Sequence, residues 1–329
     1  MSDVPPQTHP PSPARHLLAR HAESVTWMAR YIERVENLAR ILGALHTFSG
    51  GEPEADAGQW RAVLRINADH GRFLLRHTEA TLRTVAEFYL LDRDNPTSIP
   101  AAMDMVRENA RMLRALISTE MWQQINIFHA QVRALTGADI APENFSGTCD
   151  QLKAGCQSHA GITEGTFYRD QSWDFYVLGR ALERADQTTR LLDAGYRALR
   201  ARLDSGSDIG MMPWAALLRA AAGYHAFRRV HPAGFTIPDM VSFLLLDRAF
   251  PRSVSLNFEQ IGQHLERLAA QHGLSGGSAA IARVHALLRA MDTRNVEQGL
   301  RDGLPPFLDW VQQQVGALHD DIAAAFFSA

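Results

Sequence analysis

Apolar residues recur every three or four positions along most of the chain, which is the spacing of an α-helix with one buried face. The first such series is Val25, Met28, Ile32, Val35, Ala39 and Leu42. The same spacing runs through Phe73–Leu91, Ile99–Leu116, Met121–Leu135, Phe175–Leu199, Trp214–Phe227, Val254–Leu268, Ile281–Met291 and Phe307–Phe326. We find no convincing strand alternation over five or more residues. The pattern predicts an all-α helical bundle of roughly ten to thirteen helices.

Clusters of glycine, proline, serine and aspartate separate the predicted helices and indicate loops. They are Ser49–Gly58, Thr136–Gly147, Asp204–Gly210, Gly273–Ser278 and Asp302–Pro306. At the N-terminus, Met1–Pro13 contains five prolines and no apolar stretch typical of a signal peptide. Because such a segment cannot bury enough apolar surface to fold, residues 1–16 are predicted to form a disordered tail.

Three sequence motifs occur twice, in the same order. Arg30–Leu42 matches Arg180–Leu192, Trp60–Leu64 matches Trp214–Leu218, and Leu90–Ile99 matches Leu245–Val254, with offsets of 150, 154 and 155 residues. Each copy has an apolar face to bury, so we expect two pseudo-symmetric repeated modules that share a core. The predicted division is a first module over residues 17–136, a connecting segment over 137–172 and a second module over 173–329.

A polar stripe accompanies each copy of the first motif. Its members are Arg30, Glu33, Asn37 and Arg40 in the first copy and Arg180, Glu183, Gln187 and Arg190 in the second, with Arg34 and Arg184 next to the glutamates. On a helical wheel each stripe is about 80° wide and lies opposite the apolar face. The spacing predicts ion pairs within each helix, namely Arg30–Glu33, Glu36–Arg40 and Arg180–Glu183.

Two interpretations of these stripes compete. In the structural interpretation, the stripes face each other near the pseudo-two-fold axis and form a salt-bridge network. In the functional interpretation, they line a cleft in which guanidinium groups hold a carboxylate or phosphate ligand. Structural networks use the same residue types, which favours the first interpretation. The recurrence of the stripe in both copies keeps the second one open.

The third motif predicts a corner between two helices. In both copies a proline stops the preceding helix, and Ser98 or Ser253 follows two residues later, where an N-cap belongs. The simpler interpretation is a structural corner. The alternative is an anion site at the capped helix N-terminus, with Arg93 or Arg248 nearby.

Neither a metal nor a cofactor is predicted. Glu33 and Glu36, like Glu183 and Asp186, have the spacing of carboxylates in di-iron helical bundles. Those sites also need Glu-x-x-His pairs, which these helices lack, and the neighbouring arginines offer a positive charge where a metal ion would bind. The sequence has no Walker loop, dinucleotide fingerprint or serine-hydrolase motif either.

Composition narrows the location and the class of partner. The net charge is −3, which gives no electrostatic reason to expect nucleic acid or an anionic membrane as a partner. No apolar run approaches the ~20 residues of a membrane-spanning helix. Cys149 and Cys156 provide no disulfide framework, so a reducing, cytoplasmic location is expected. Together with His129 and His159 they lack the spacing of a zinc knuckle, and free thiols are expected.

Several segments together resemble the alpha-E domain family, a group of bacterial helical proteins named for a Glu-Arg signature. The resemblance extends from about Leu17 to Leu318 and is carried by Trp27–Arg34, Arg107–Arg111, Ser118–Trp122, Gly161–Thr163, Trp173–Phe175 and Gly179–Asp186. It implies an association with circularly permuted ATP-grasp amidoligases and with transglutaminase-like proteins. It implies no activity for the domain itself.

Two functional hypotheses follow. The first, from the resemblance, is a non-catalytic helical partner or accessory subunit of an ATP-grasp amidoligase system that makes peptide-like bonds. The second is an enzyme or a small-molecule-binding protein that uses the paired stripes to hold a carboxylate or phosphate. In an enzyme, Glu33 or Glu183 would act as acid or base and the arginines would clamp the substrate. Buried, mutually paired stripes would weaken the second hypothesis, and a shared pocket would strengthen it.

Overall fold

The computed structural model describes residues 17–48, 53–204, 212–232, 236–272 and 275–327, which form fifteen α-helices and contain no strand. The α-helices are α1 (Ala19–Phe48), α2 (Pro53–Ile66), α3 (His70–Leu74), α4 (Leu82–Ala86), α5 (Ile99–Met112), α6 (Thr119–Arg133), α7 (Pro142–Thr166), α8 (Gln171–Asp204), α9 (Met212–Ala220), α10 (Tyr224–Val230), α11 (Ile237–Leu246), α12 (Val254–His272), α13 (Ser278–Ala290), α14 (Thr293–Asp302) and α15 (Leu304–Phe326). The predicted all-α class is confirmed. The predicted tail, residues 1–16, lies outside the described residues.

The long helices α1 and α8 form the centre of the bundle. Helix α1 packs against α5, α7, α8 and α9, while α8 also packs against α2, α12 and α15. The two helices run in the same direction, because their contacts advance together from Leu17 with Gln171 to Arg30 with Glu183. With neighbours on most sides, both helices bury the centres of their polar stripes as well as their apolar faces.

A glycine sets the close approach of the two central helices. A Cβ atom at Gly179 would lie 2.3 Å from the carbonyl oxygen of Thr26, which is far inside van der Waals contact. The Thr26 hydroxyl is itself buried and donates to the carbonyl oxygen of Ala22, so it leaves no unsatisfied polar group at this crossing. The crossing lies one helical turn before Glu183, and it therefore brings the two Glu-Arg motifs within hydrogen-bond distance.

The predicted helices Phe73–Leu91 and Trp214–Phe227 are each broken, which raises the number of helices above the ten to thirteen expected. The first segment contains the end of α3, a loop, α4 and a π-helical turn over Glu87–Leu91. The second is divided between α9 and α10 by Ala222, whose φ is +58°. Apolar periodicity persists across such breaks because the short helices still face the same core.

The connecting segment is more regular than the sequence indicated. The loop expected over Thr136–Gly147 ends early, since α7 starts at Pro142 and continues for 25 residues. Proline at the first position of α7 needs no backbone hydrogen bond there, which is why it starts the helix instead of interrupting it. Buried Phe145, Cys149 and Cys156 give α7 an apolar face that packs against α1.

The two sequence repeats share local geometry. Thr81 and Thr236 each form a capping box with φ −111° and ψ 167°. Ala68 and Ala222, which are 154 positions apart, both adopt a positive φ. These correspondences match the repeat offsets, and the division into two pseudo-symmetric modules about a two-fold axis stays a prediction. In the part of the chain that the structure describes, no helix has the length and apolar character needed to cross a bilayer.

Candidate functional site

The stripes of α1 and α8 face each other and bond across the helix pair. We call the resulting cluster the Glu-Arg network, which consists of Arg30, Glu33, Arg34, Glu36, Asn37, Arg40, Arg180, Glu183, Arg184, Asp186, Gln187, Arg190 and Arg252. In its centre, each glutamate binds the arginine of the other motif. The Glu183 Oε1 atom lies 2.6 Å from Arg34 Nε, and the Glu33 Oε2 atom lies 2.9 Å from Arg184 Nε.

This reciprocal arrangement corrects two of the predicted pairs. Arg30 does not pair with Glu33 on its own helix but donates from Nε to Glu183 Oε2 at 2.9 Å. The Arg180–Glu183 pair is also absent from the described residues. The physical reason is the close crossing at Gly179, which places the carboxylates nearer to the guanidinium groups of the opposite helix. The third prediction, Glu36–Arg40, is confirmed at 2.6 Å.

Arg252, which sequence analysis did not select, completes the Glu33 side of the network. It lies directly before the N-cap of α12 and is only 7% exposed. Its Nη1 atom donates to Glu33 Oε1 at 2.5 Å and to Asn37 Oδ1 at 2.7 Å, and its Nη2 atom lies 2.9 Å from Glu36 Oε1. A signal was available in the repeat alignment, where Arg252 replaces Thr97 inside an otherwise similar corner.

The two central glutamates are ionised and deeply buried. Burial alone would raise the pKa of Glu33, but the charges of Arg184 and Arg252 outweigh it and lower the pKa to about 2. Burial likewise opposes ionisation of Glu183, whose pKa the guanidinium groups of Arg34 and Arg30 lower to about 2. Carboxylates with such pKa values stay charged at neutral pH and are poorly matched to general acid-base chemistry there.

The outer members of the network differ between the two sides. Asp186 pairs with Arg190 at 2.8 Å, as Glu36 does with Arg40. Burial raises the pKa of Asp186, and the charge of Arg190 offsets this only in part. Among the described residues, Arg180 Nε has no hydrogen-bond acceptor. Burial and the neighbouring charge of Arg184 lower the pKa of Arg180.

One edge of the network opens into a cavity of about 270 Å³, which we call the rim cavity. Its polar lining is formed by Arg34, Glu183, Asp186, Gln187 and Arg190 from the central helices, with Asn67, Thr97 and Ser98 from the loop after α2 and from the corner. Tyr31 and Ile99 are among the apolar side chains that complete the wall. The stripes are therefore buried and mutually paired in the centre, and accessible at this edge.

Aromatic rings cover another edge. The guanidinium carbon of Arg30 lies 4.7 Å from the ring centroid of Trp27, and that of Arg34 lies 5.6 Å away. The His319 ring meets Trp27 edge-on at 5.2 Å. Burial and the charge of Arg30 lower the pKa of His319 to about 4, so this ring is neutral at physiological pH. A cation over a ring face is stabilised by the negative potential of the ring, which helps to hold both arginines in place.

The predicted corner residues act as structural caps. The Ser98 and Ser253 hydroxyl oxygens accept hydrogen bonds from the backbone amides of Ala101 and Leu256, at 3.2 and 3.3 Å. The arginines predicted nearby point to other partners. Arg93 Nη2 donates to the carbonyl oxygen of Arg133 at 3.1 Å, and Arg248 Nε lies 2.8 Å from Glu259 Oε1.

Cys149 and Cys156 are free thiols, as predicted, and both are buried in the face of α7. Burial and the negative charges of Glu36 and Glu33 raise the pKa of Cys156 well above its usual range. His129 binds Asp104, whereas buried His159 lies near Gln124 and Thr163. The cysteines and histidines thus have separate partners, and no group of three or more metal-ligating side chains occurs within the described ranges.

Comparison with known proteins places these features in a family. Similar proteins, at 23% identity over 303 residues, are an uncharacterised protein of Mycobacterium bovis and uncharacterised proteins of two Mycobacterium tuberculosis strains. The alignments cover 84% of this chain and 33% of each relative, so the chain spans about a third of the length of the curated relatives it matches. No solved structure matches the chain. The family model Alpha-E, described as a predicted alpha-helical domain with a conserved ER motif, matches residues 17–327, and the chain therefore belongs to the Alpha-E family.

Proposed function

We propose that this chain is a non-catalytic helical partner, or accessory subunit, of a cytoplasmic ATP-grasp amidoligase system that makes peptide-like bonds. The length of the relatives carries the proposal: a match covering 84% of this chain accounts for 33% of each of them. An Alpha-E region thus occurs within polypeptides that contain much additional sequence. The family resemblance suggests which activity such a domain accompanies, namely that of a circularly permuted ATP-grasp protein, with a transglutaminase-like protein as a further partner.

The geometry of the Glu-Arg network supports a scaffold role. Glu33 and Glu183 are 3% and 0% exposed, and both oxygens of each carboxylate lie within ion-pair distance of an arginine. Buried carboxylates whose oxygens all bind arginines stabilise a particular packing of helices and leave little access for a substrate. The Glu-Arg network thus holds α1 and α8 in one arrangement, and the helices packed around them present a constant surface to a partner.

Association with the ATP-grasp protein tests the proposal. The two purified proteins would be mixed at micromolar concentration and analysed by size-exclusion chromatography with light scattering, each protein alone serving as the control. We expect a complex of defined mass. Separate elution of the two proteins, at physiological salt and with ATP and magnesium present, would contradict the proposal.

A matched pair of variants separates the scaffold from an enzyme. Glu183→Gln keeps the shape of the side chain and removes its charge, and Glu164→Gln does the same at an exposed position on α7. If the complex forms amide bonds, the scaffold role predicts equal turnover for every variant that remains folded and bound. A folded, bound Glu183→Gln complex without turnover would instead identify the network as catalytic.

A second candidate function is small-molecule binding, which the rim cavity favours. The cavity exposes Arg34 and Asp186, whose side chains are 37% and 13% accessible, beside the otherwise closed centre. This function is compatible with an accessory role, since a subunit that binds a substrate or effector need not catalyse the reaction.

A further inference from the structure

The residues of the rim cavity have repeat equivalents that already bind a guanidinium group. Thr97 lies at the repeat position of Arg252, and both directly precede the serine that caps the next helix. In the same way Glu183, Asp186 and Gln187 correspond to Glu33, Glu36 and Asn37. Glu33, Glu36 and Asn37 bind the Arg252 side chain through three polar contacts of 2.5 to 2.9 Å.

Among the described residues, no arginine occupies the position of Arg252 at the rim cavity, although Glu183 has a second arginine, Arg30, on its other oxygen. Thr97 lines the cavity together with Glu183, Asp186 and Gln187, but its short side chain bonds locally to Asn95 Oδ1 at 2.7 Å. Asp186 and Gln187 therefore face open space where Glu36 and Asn37 face Arg252.

The difference is clearest at the outer carboxylates. Glu36 lies within 2.9 Å of two arginines, Arg40 and Arg252, whereas Asp186 has one, Arg190. Burial and the charge of Glu183 both raise the pKa of Asp186, which is the direction expected for a carboxylate short of positive charge. A cationic group in the cavity would supply that charge.

The positive lining of the cavity does not exclude a cation. Arg34 and Arg190 are held in ion pairs with Glu183 and Asp186, and Arg30, the second arginine of Glu183, does not line the cavity. Their repeat equivalents, Arg184 and Arg40, surround Arg252 in the same network and leave its binding intact. Burial alone would lower the pKa of Arg252, yet Glu33 and Glu36 raise it, so the attraction of the carboxylates dominates.

We propose that the rim cavity binds a guanidinium or primary ammonium group, which takes the place that Arg252 occupies on the opposite side of the network. The carboxylate of Asp186 and the amide oxygen of Gln187 accept its hydrogen bonds, and the apolar wall near Ile99 contacts the alkyl chain that carries it. The group belongs either to a small molecule or to an arginine or lysine side chain of another protein. The proposal goes beyond the scaffold role and does not depend on it.

Calorimetric titration with matched probes tests the charge requirement. We expect n-butylguanidine and n-butylamine to bind the full chain at millimolar concentration or below, and n-butylurea, a neutral analogue of the first, to bind at least about tenfold more weakly. Asp186→Asn should weaken binding of the charged probes by a similar factor and leave binding of the urea unchanged. Equal affinity for the urea and the guanidine would overturn the proposal. A result in which neither n-butylguanidine nor n-butylamine binds would also overturn it.

A substitution within the chain provides an independent test. Thr97→Arg should place a guanidinium group in the cavity, raise the melting temperature by several degrees and abolish binding of n-butylguanidine. Thr97→Met, of similar length but without charge, should block the probe without this gain in stability. Because Thr97 is exposed, both variants are expected to fold, which circular dichroism would check. Thr97→Arg melting at or below Thr97→Met would contradict the proposal.

Two further probes distinguish the sources of the cation. Agmatine represents a free small molecule, and a peptide with a central arginine represents a protein side chain. Tighter binding of agmatine would support a small-molecule ligand, and tighter binding of the peptide would support a protein partner. Failure of both to bind would contradict the proposal, whereas the scaffold role would still be tested separately by complex formation with the ATP-grasp protein.

Discussion

The two sides of the Glu-Arg network use nearly the same residue types and differ in how they are closed. On the Glu33 side, Arg252 enters from the corner before α12 and binds two carboxylates and an amide. On the Glu183 side, the corner before α5 contributes Thr97, and a cavity of about 270 Å³ lies there instead. The corner residue, Arg252 on one side and Thr97 on the other, is thus a main difference between the closed side and the open side.

The largest expected effect comes from removing a central carboxylate. Glu183→Ala leaves Arg30 buried without its partner, and breaking a buried pair costs about 3–5 kcal/mol. Glu33→Ala should cost less, because Arg252 keeps Glu36 and Asn37 as partners. Urea denaturation at neutral pH measures both free energies of unfolding, and Glu164→Ala at an exposed site is the control. Two central variants as stable as the wild type, but without function in cells, would show that the network is not structural.

Removing the arginine that distinguishes the sides should have the next largest effect. Arg252→Met leaves Glu33 and Glu36 with less compensation in a buried site, and we expect a loss of about 3 kcal/mol. Thr97→Val at the repeat-equivalent position should change the free energy of unfolding by less than about 1 kcal/mol, because this side chain is exposed. If the two substitutions changed the free energy of unfolding equally, Arg252 would not stabilise its side of the network more than Thr97 stabilises the other.

Acid should weaken both sides. The folded-state pKa values of Glu33 and Glu183 are lowered from 4.5 to about 2, so their contribution is fully present above pH 4.5 and is lost as the pH falls toward 2. By about pH 3.5 each carboxylate should lose on the order of 1 kcal/mol relative to pH 6. Comparing the pH dependence of unfolding in the wild type and in Glu33→Gln isolates one side. An unchanged acid dependence in this variant would be inconsistent with the low pKa of Glu33.

The smallest effect is expected at Asp186. Because the folded-state pKa of Asp186 is raised, the folded protein favours the protonated carboxyl group. The stability that this preference provides is present at low pH and is lost as the pH rises through the folded-state pKa. Asp186→Asn should therefore change the free energy of unfolding at pH 7 by less than about 1 kcal/mol, since asparagine still accepts a hydrogen bond from Arg190. Arg190→Gln serves as the partner variant. A loss as large as that of Glu183→Ala would place Asp186 among the central structural pairs.

Sequence periodicity was sufficient to predict the fold class and most helices, because each long helix buries a continuous apolar face. It failed within Trp214–Phe227, where the positive φ of Ala222 divides the predicted helix into α9 and α10. It also understated α7, whose many small and polar residues weaken the apolar pattern. The structural interpretation anticipated that the stripes face each other, but the predicted pairs Arg30–Glu33 and Arg180–Glu183 were wrong, because the glutamates bind arginines of the opposite helix. Pairing depends on the distance between helices, which Gly179 sets and which one helical wheel does not contain.

The reciprocal pairing also has a consequence for how the protein is made. The two partners of the Arg30–Glu183 pair are separated by 153 positions in the chain. At a synthesis rate of about 5–20 residues per second, α1 leaves the ribosome roughly 8 to 30 s before α8. During that interval the surface that will contact α8 carries arginines and glutamates, which water solvates well. A purely apolar contact of the same size would expose an aggregation-prone surface on the unfinished chain, so the charged residues of this interface are expected to reduce aggregation of the nascent first half.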